Sequence, residues 1–349
     1  MKLAIGIDPF VINDWQALAE YVAGAERLGV ADVWSAETWS HDAATPLAYL
    51  ATRTTSIRLG TGIMQLGART PAMIAMTANA LAGMSGGRFL LGLGVSGPQV
   101  MEGWHGVPFA RPLQRTRETI AIVRRALSGE RLSYDGQVYR LPLPGGAGKA
   151  LALGSPPPAP IPIYLATLGP RNLELTGELA DGWLGTSFIP EQADSFFAHI
   201  ATGAARAGRT LADLDLQATG GVVAFADDEA ALPALLAARK PGLAFTLGAM
   251  GSAEHNFYND AWRRAGYDEV AREVQRLWLD RRRADAAALI PDDLILKSNL
   301  IGTEPMISAR LRVHRDAGVN TLRVAPDGAT SAARLATLAR LVALVAAAG

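Results

Sequence analysis

The run Phe89-Leu-Leu-Gly-Leu-Gly-Val95 shows almost no polar alternation. A strand apolar on both faces must be covered on both, which is the condition of a parallel sheet flanked by helices. Immediately afterwards come Ser96, Gln99, Glu102, Trp104 and His105. Gly92 and Gly94 leave room for something bulky to approach the backbone where the strand ends. A buried strand that opens into a polar loop is how an α/β enzyme displays its site.

The rest of the chain repeats this unit. Strands are expected at Leu3–Ile7, Asp32–Ala36, Ile57–Ile63, Phe89–Val95, Ile161–Thr167, Trp183–Phe188, Leu216–Phe225 and Thr321–Ala325. Helices are expected at Asp14–Leu28, Pro46–Thr54, Pro71–Met84 and Pro112–Leu127, with proline favourable in a first turn and Gly29 ending the first. Eight such units favour a (β/α)8 TIM barrel. Two insertions stand apart. One follows strand four, at about 131–160, with a turn at Tyr134-Asp-Gly136. The other follows strand seven, at about 240–293, and carries Phe245, His255, Phe257, Tyr258, Trp262 and Tyr267. Within it, Arg281-Arg-Arg283 reads as a solvated helix end.

Composition sets limits. The 349 residues are 49% hydrophobic, enough for a substantial core. Thirty-three basic residues balance 33 acidic ones, which argues against a nucleic-acid or anionic-membrane partner. With no cysteine there is neither a disulfide, a thiolate metal site nor a Cys nucleophile. No apolar run reaches the ~20 residues of a membrane helix, and Met1–Asp8 reads as a strand, so a cytoplasmic protein is expected.

In a TIM barrel, function is read at the carboxyl ends of the strands. Strand one ends at Asp8-Pro-Phe10, where Asp8 either faces the pocket or caps a turn. Strand two ends at Glu37-Thr-Trp-Ser-His-Asp42, the densest polar cluster. His41, with an ordinary pKa near 6.5, suits proton transfer or is a loop residue bonded to Asp42. No His-x-His metal pair falls on an expected strand.

These segments also carry a resemblance. Leu59-Gly-Thr-Gly-Ile63, Arg69-Thr-Pro71, Gly86-Gly-Arg-Phe89 and Ala180-Asp-Gly-Trp183 resemble the bacterial luciferase-like superfamily, in its coenzyme F420 (deazaflavin)-dependent oxidoreductase branch. Gly248-Ala-Met-Gly251, Asn256-Phe257, Trp262-Arg-Arg-Ala-Gly-Tyr267, Ile290-Pro-Asp-Asp293 and Ile301-Gly-Thr303 are similar to an actinobacterial-type subgroup of it. The likeness covers most of the chain and implies one barrel domain over 1–349.

The resemblance implies F420 as cofactor, with FMN as the alternative, and hydride transfer between the deazaflavin C5 and a small organic substrate. It implies a cis peptide at Gly62–Ile63 behind the cofactor rings, with Met64 beside it. Val95, Ser96, Gly97 and Gln99 are further cofactor contacts. Ala166, Thr167, Leu168, Gly169, Pro170 and Arg171 form the phosphate candidate, because a helix start offers free N–H groups. Glu37 lies beside the cofactor as first proton-donor candidate, its pKa expected to rise on burial, with His41 second. Thr38 departs from the family by standing where a His often follows. Gly97 stands where the sugar-oxidising branch has Glu, which argues against that branch's chemistry. Asp8, Phe10, Trp39, His105 and Phe257 are the substrate candidates, while Trp104 is expected to pack within its loop. Homodimers are usual in the family, and the apolar segments around helices two and three are the expected contact. An FMN-dependent monooxygenase, a non-catalytic cofactor-binding barrel and a hydrolase using Glu37 with Asp8 remain the alternatives.

Overall fold

In a computed structural model that describes residues 1–8, 10, 12–157, 159–251 and 256–347, the chain forms twelve strands among the described residues. They are β1 (Lys2–Ile7), β2 (Asp32–Ser35), β3 (Arg58–Thr61), β4 (Met64–Gln65), β5 (Phe89–Gly94) and β6 (Tyr134–Asp135). Then follow β7 (Arg140–Leu141), β8 (Ile163–Leu165), β9 (Gly182–Leu184), β10 (Asp215–Phe225), β11 (Leu300–Gly302) and β12 (Thr321–Pro326). β5 is buried at all six positions, as its unalternating sequence requires. Parallel pairing runs β1–β2–β3–β5–β8–β9–β10–β12 and returns to β1, closing an eight-stranded barrel with helices around it. The TIM-barrel expectation holds.

The helices start where the sequence says they should. Asp14 accepts from the N–H groups of Gln16 and Ala17 to cap Trp15–Arg27, and Thr70 caps Pro71–Met84 through Met73 N. Three strands differ from expectation. The third is broken at residues 62–63 into β3 and β4, the latter pairing with β5. The sixth is only Gly182–Leu184, because Phe188 turns into an aromatic cluster with Trp183, Phe196 and Phe197. β11 was not expected at all; it pairs with the far end of β10, beyond a register shift at Thr219/Gly221.

The turn at Tyr134–Gly136 joins β6 and β7 in an antiparallel pair. The later insertion is helical, with Lys240–Ala249, Phe257–Trp262 and Asp268–Leu279 around a separate apolar cluster containing Leu247, Trp262, Val274 and Ile295. His255 lies outside the described residues. Arg281 to Arg283 are exposed, as a solvated end should be, but the helix has already stopped at Leu279 and Arg281 takes φ 63°.

A polar plug fills the barrel's amino-terminal end. Arg58 donates to Asp32 at 2.6 and 2.9 Å and reaches Asp215 at 3.4 Å. Gln217 Nε2 donates to both carboxylates, Tyr164 OH and Thr321 Oγ1 donate to Asp215, and Trp34 Nε1 donates to Gln217 Oε1 at 3.0 Å. Burial raises the Asp32 carboxyl above its ordinary pKa against the pull of Arg58. Above the plug, Ala4, Trp34, Leu90, Tyr164 and Leu184 form an apolar layer inside the barrel.

Outside the barrel, His314 is 1% exposed, and neither ring nitrogen has a hydrogen-bond partner among the described residues. Burial, aided by Arg310, pulls its pKa from 6.5 down to about 3. The unfolded chain therefore takes this proton first, and the stability present above pH 6.5 is lost as pH falls from there toward the folded value. Denaturant unfolding should show a loss of about 2 kcal/mol by pH 5 from this group. That slope should flatten in His314→Gln; an unchanged slope would reassign it to other groups.

Candidate functional site at the barrel mouth

The carboxyl ends of β1, β2, β4, β5, β8 and β9 converge on one mouth. The Gly62–Ile63 peptide is cis, at the position that the resemblance implied. Its surroundings are shaped by Trp34: a Cβ on Gly60 would lie 2.3 Å from that ring. Gly92 was expected to admit a bulky group, and it does, but the group is the chain itself. A Cβ there would lie 1.9 Å from the Thr61 carbonyl oxygen. Thr61 Oγ1 accepts from Gly92 N at 2.9 Å and donates to Gly92 O at 2.8 Å, locking β3 to β5 just before the cis bond. The Ile63 side chain packs over Gly94 and joins the interior layer. Met64, by contrast, is fully buried in the main core between barrel and helices.

Glu37 sits on the loop after β2 with its side chain 7% exposed. Arg69 Nη1 donates to both its oxygens at 2.5 and 2.7 Å, and Gln65 N donates to Oε2 at 3.0 Å. Gln65 Nε2 returns a bond to the Glu37 carbonyl. Arg69 is the ion-pair partner that the sequence did not reveal; it stands in the Arg69-Thr-Pro71 motif, but nothing linear connects residues 32 positions apart. Next along the loop, Thr38 Oγ1 is buried without a partner among the described residues, as is Gln65 Oε1. A hydroxyl that can donate or accept and an amide oxygen that can only accept are thus left open near the cis bond, where a ligand could satisfy both.

His41 Nδ1 is 3.2 Å from Ser40 Oγ, and its ring meets Trp15 edge-on at 5.3 Å. Asp42 accepts from Ala44 N and Thr45 N, capping the helix Ala44–Ala51. Burial works against that carboxylate, but those bonds and Arg69 outweigh it and hold its pKa below the ordinary value. Asp8 accepts from Phe10 N at 2.9 Å, so it closes the turn after β1. Phe10 and Trp39 pair at 5.3 Å, 50% and 46% exposed, on one rim of the mouth.

After β5, Val95 borders a small apolar pocket with Leu66, Met101 and Phe109. Ser96 adopts φ 60°, and Gly97 caps the short helix Pro98–Gly103, where Gln99 is exposed. His105 Nε2 is buried and has no hydrogen-bond partner among the described residues. Trp104 does not pack as expected; it is 64% exposed. Phe257 of the insertion faces Phe109 with ring centres 6.3 Å apart.

After β8, Gly169 precedes the helix Pro170–Leu179, whose first turn has no side-chain cap, and Arg171 is exposed there. Ala166 stays inside the barrel. Thr167 turns its hydroxyl to Thr176 and gives its carbonyl to Trp183 Nε1. Leu168 O accepts from Arg264 of the insertion at 2.9 Å, which adds a second cation beside this helix start.

The fold and this mouth define a class. The luciferase-like monooxygenase family matches residues 4–321, and the chain belongs to that family. It is 42% identical, over 97% of its length and 99% of the relative's, to a Mycobacterium tuberculosis protein named "Putative coenzyme F420-dependent oxidoreductase". A 5,10-methylenetetrahydromethanopterin reductase of Methanolobus tindarius is 36% identical over 58% of this chain and 59% of that one. Among solved structures, the F420-dependent tetrahydromethanopterin reductase of Methanopyrus kandleri superposes with a TM-score of 0.80 at 22% identity, covering 97% of both chains. An F420-dependent secondary alcohol dehydrogenase with an F420-acetone adduct gives 0.75 at 18%, covering 99% of both.

Removing Arg69 would leave the nearly buried Glu37 carboxylate without its cation. Arg69→Leu should cost about 3 kcal/mol in denaturant unfolding, and Arg69→Leu with Glu37→Gln should recover most of it. Independent, additive losses in the double variant would mean that the pair does not hold this loop.

Proposed function

We propose that this enzyme is a coenzyme F420-dependent oxidoreductase that moves hydride between the deazaflavin and a small organic substrate in the barrel mouth. The observation that carries this reading is the 42% identity to the mycobacterial relative across nearly both whole chains. When bound, F420 supplies a two-electron hydride carrier that reacts poorly with oxygen. The orphaned Thr38 Oγ1 and Gln65 Oε1 fit a ring system with polar edges lying against Ile63.

In this reading Gly62 and Ile63 back the rings, while Val95, Ser96, Gly97 and Gln99 hold one edge. Gly169, Pro170 and Arg171, joined by Arg264, receive the phosphodiester. Thr38 donates a hydrogen bond where relatives commonly have His. Glu37 and His41 are the two candidates for moving the proton. Because Arg69 and Gln65 already occupy the Glu37 oxygens, Glu37→Gln and His41→Asn separate an orienting role from a proton-carrying one. The variant that abolishes the pH dependence of kcat identifies the carrier. Phe10, Trp39, His105 and Phe257 line the substrate's side, and Asp8 shapes the turn beneath them.

The chain assembles as a homodimer in this proposal. Met73, Met76 and Met84 on the helix Pro71–Met84 are each about half exposed, at 51%, 53% and 50%, an apolar row of the kind an interface covers. Sedimentation should give twice the 36.8 kDa chain mass. Met76→Glu should shift it toward the monomer, and a monomeric parent protein would refute the dimer.

The reaction is tested by mixing the protein anaerobically with reduced F420 and a panel of ketones, enones and aldehydes. Protein-dependent return of the oxidised deazaflavin's visible absorbance, with stoichiometric loss of one substrate class, is expected. Turnover that instead needs FMN, oxygen and a reductase would make the enzyme a monooxygenase.

A further inference from the structure

Two arginines project into the barrel, and the chain treats them differently. Arg58, in the plug, faces Asp32 and Asp215. Arg323 lies two residues beyond Thr321 on β12, so strand alternation puts both on the interior face, and Thr321 Oγ1 indeed reaches Asp215. Arg323 is in register with Ala4 of β1 and Thr219 of β10, at the height of the apolar layer of Trp34, Leu90 and Leu184. Its side chain makes one long hydrogen bond among the described residues, Nη2 donating to Gly185 O at 3.3 Å, and no ion pair. A guanidinium remains protonated in proteins and offers five donors in a planar fork. Partly buried beside an apolar layer, with no anion against it among the described residues, it is partly desolvated and uncompensated, and burial lowers its pKa.

Space and further donors lie beside it. Gly6 of β1 is exposed, although it sits mid-strand, and a Cβ there would meet nothing within 4 Å. Ala325, two residues further along β12, is also exposed. These mark an open well above the layer. Tyr258, brought in by the insertion, lies within electrostatic reach of Arg323; burial pushes its phenol pKa up, so it keeps a proton to donate, and the phenol makes no hydrogen bond among the described residues. Ser187, two residues after Gly185 and held at φ 48°, has a buried hydroxyl with no partner among the described residues.

We propose that Arg323 and Tyr258 bind a carboxylate at the base of the mouth, so that the substrate of the hydride transfer is an organic acid. The substrate class rests on the oxidoreductase reading above; the anion site does not. The planar fork matches the two carboxylate oxygens, the phenol donates a third bond, and the aromatic rim receives the substrate's apolar body. The charge the fold leaves unpaired is supplied by the ligand.

The test is calorimetric titration of benzoate and of its neutral isostere benzamide, into the protein alone and into the protein saturated with F420. The proposal expects benzoate to bind about tenfold more tightly than benzamide in at least one form. It expects Arg323→Gln to abolish that preference, while Arg323→Lys and Tyr258→Phe reduce it. No preference in either form overturns it, as does a preference that survives Arg323→Gln. If Arg323→Gln fails to fold, an unchanged preference in both other variants overturns it. A loss of F420 affinity in Arg323→Gln with the benzoate preference intact would assign the cation to the cofactor. The F420 affinity of the parent protein, measured alongside, judges the cofactor reading separately.

Discussion

The indole of Trp34 is the contact on which both ends of the barrel depend. Its ring takes the volume that Gly60 leaves and lies against Gly62 on the neighbouring strand, and it meets Tyr164 edge-on at 5.2 Å. Its Nε1 reaches down to Gln217, and through that amide to the Asp32–Arg58–Asp215 plug. A large aromatic with one polar handle suits this place, because its body fills the layer while its N–H satisfies the plug. The backbone that bears the cis peptide therefore rests on a packed and hydrogen-bonded floor. A platform of this kind positions a flat cofactor without relying on mobile loops.

Above the floor, the mouth is unevenly furnished. The β2 loop carries the Glu37–Arg69 pair with the open oxygens of Thr38 and Gln65, and the phosphate candidate after β8 adds Arg171 with Arg264. Aromatic rings are interleaved with these groups, Phe10 against Trp39 on the β1 and β2 loops and Phe109 against Phe257. Cofactor recognition needs directed polar groups, whereas an apolar substrate body needs exposed rings around a well. The insertion after β10 contributes to both, since Arg264 reaches the β8 loop and Phe257 reaches the β5 loop. No helix among the described residues is long and apolar enough to cross a membrane.

Much of this was legible in the sequence, for identifiable reasons. The helices Pro71–Met84 and Pro112–Leu127 begin at a proline, keep an apolar stripe and occupy the expected residues. β5 announced itself by its lack of alternation. The break between β3 and β4 could not be read from residue types, because Gly62 only permits it; the family resemblance supplied it. β11 escaped because three residues between helices carry no period. Pairings across space were invisible: Glu37 with Arg69, Gly92 with Thr61 O, and Arg323 alone in its layer. Such contacts depend on strand register and barrel closure, which a linear pattern does not encode. Phe10 and Trp39 stand exposed after β1 and β2, where chain position put them, yet Thr167 and Met64 point into packing, where alternation on a short, broken strand is a poor guide.

The central claim is that this mouth holds a deazaflavin. Its most direct test is a fluorescence titration of the purified cofactor-free protein with F420 and, separately, with FMN. Micromolar or tighter binding of F420, with FMN bound much more weakly, is the predicted result. A preference for FMN would contradict the account and place the enzyme among the oxygen-using members of its family.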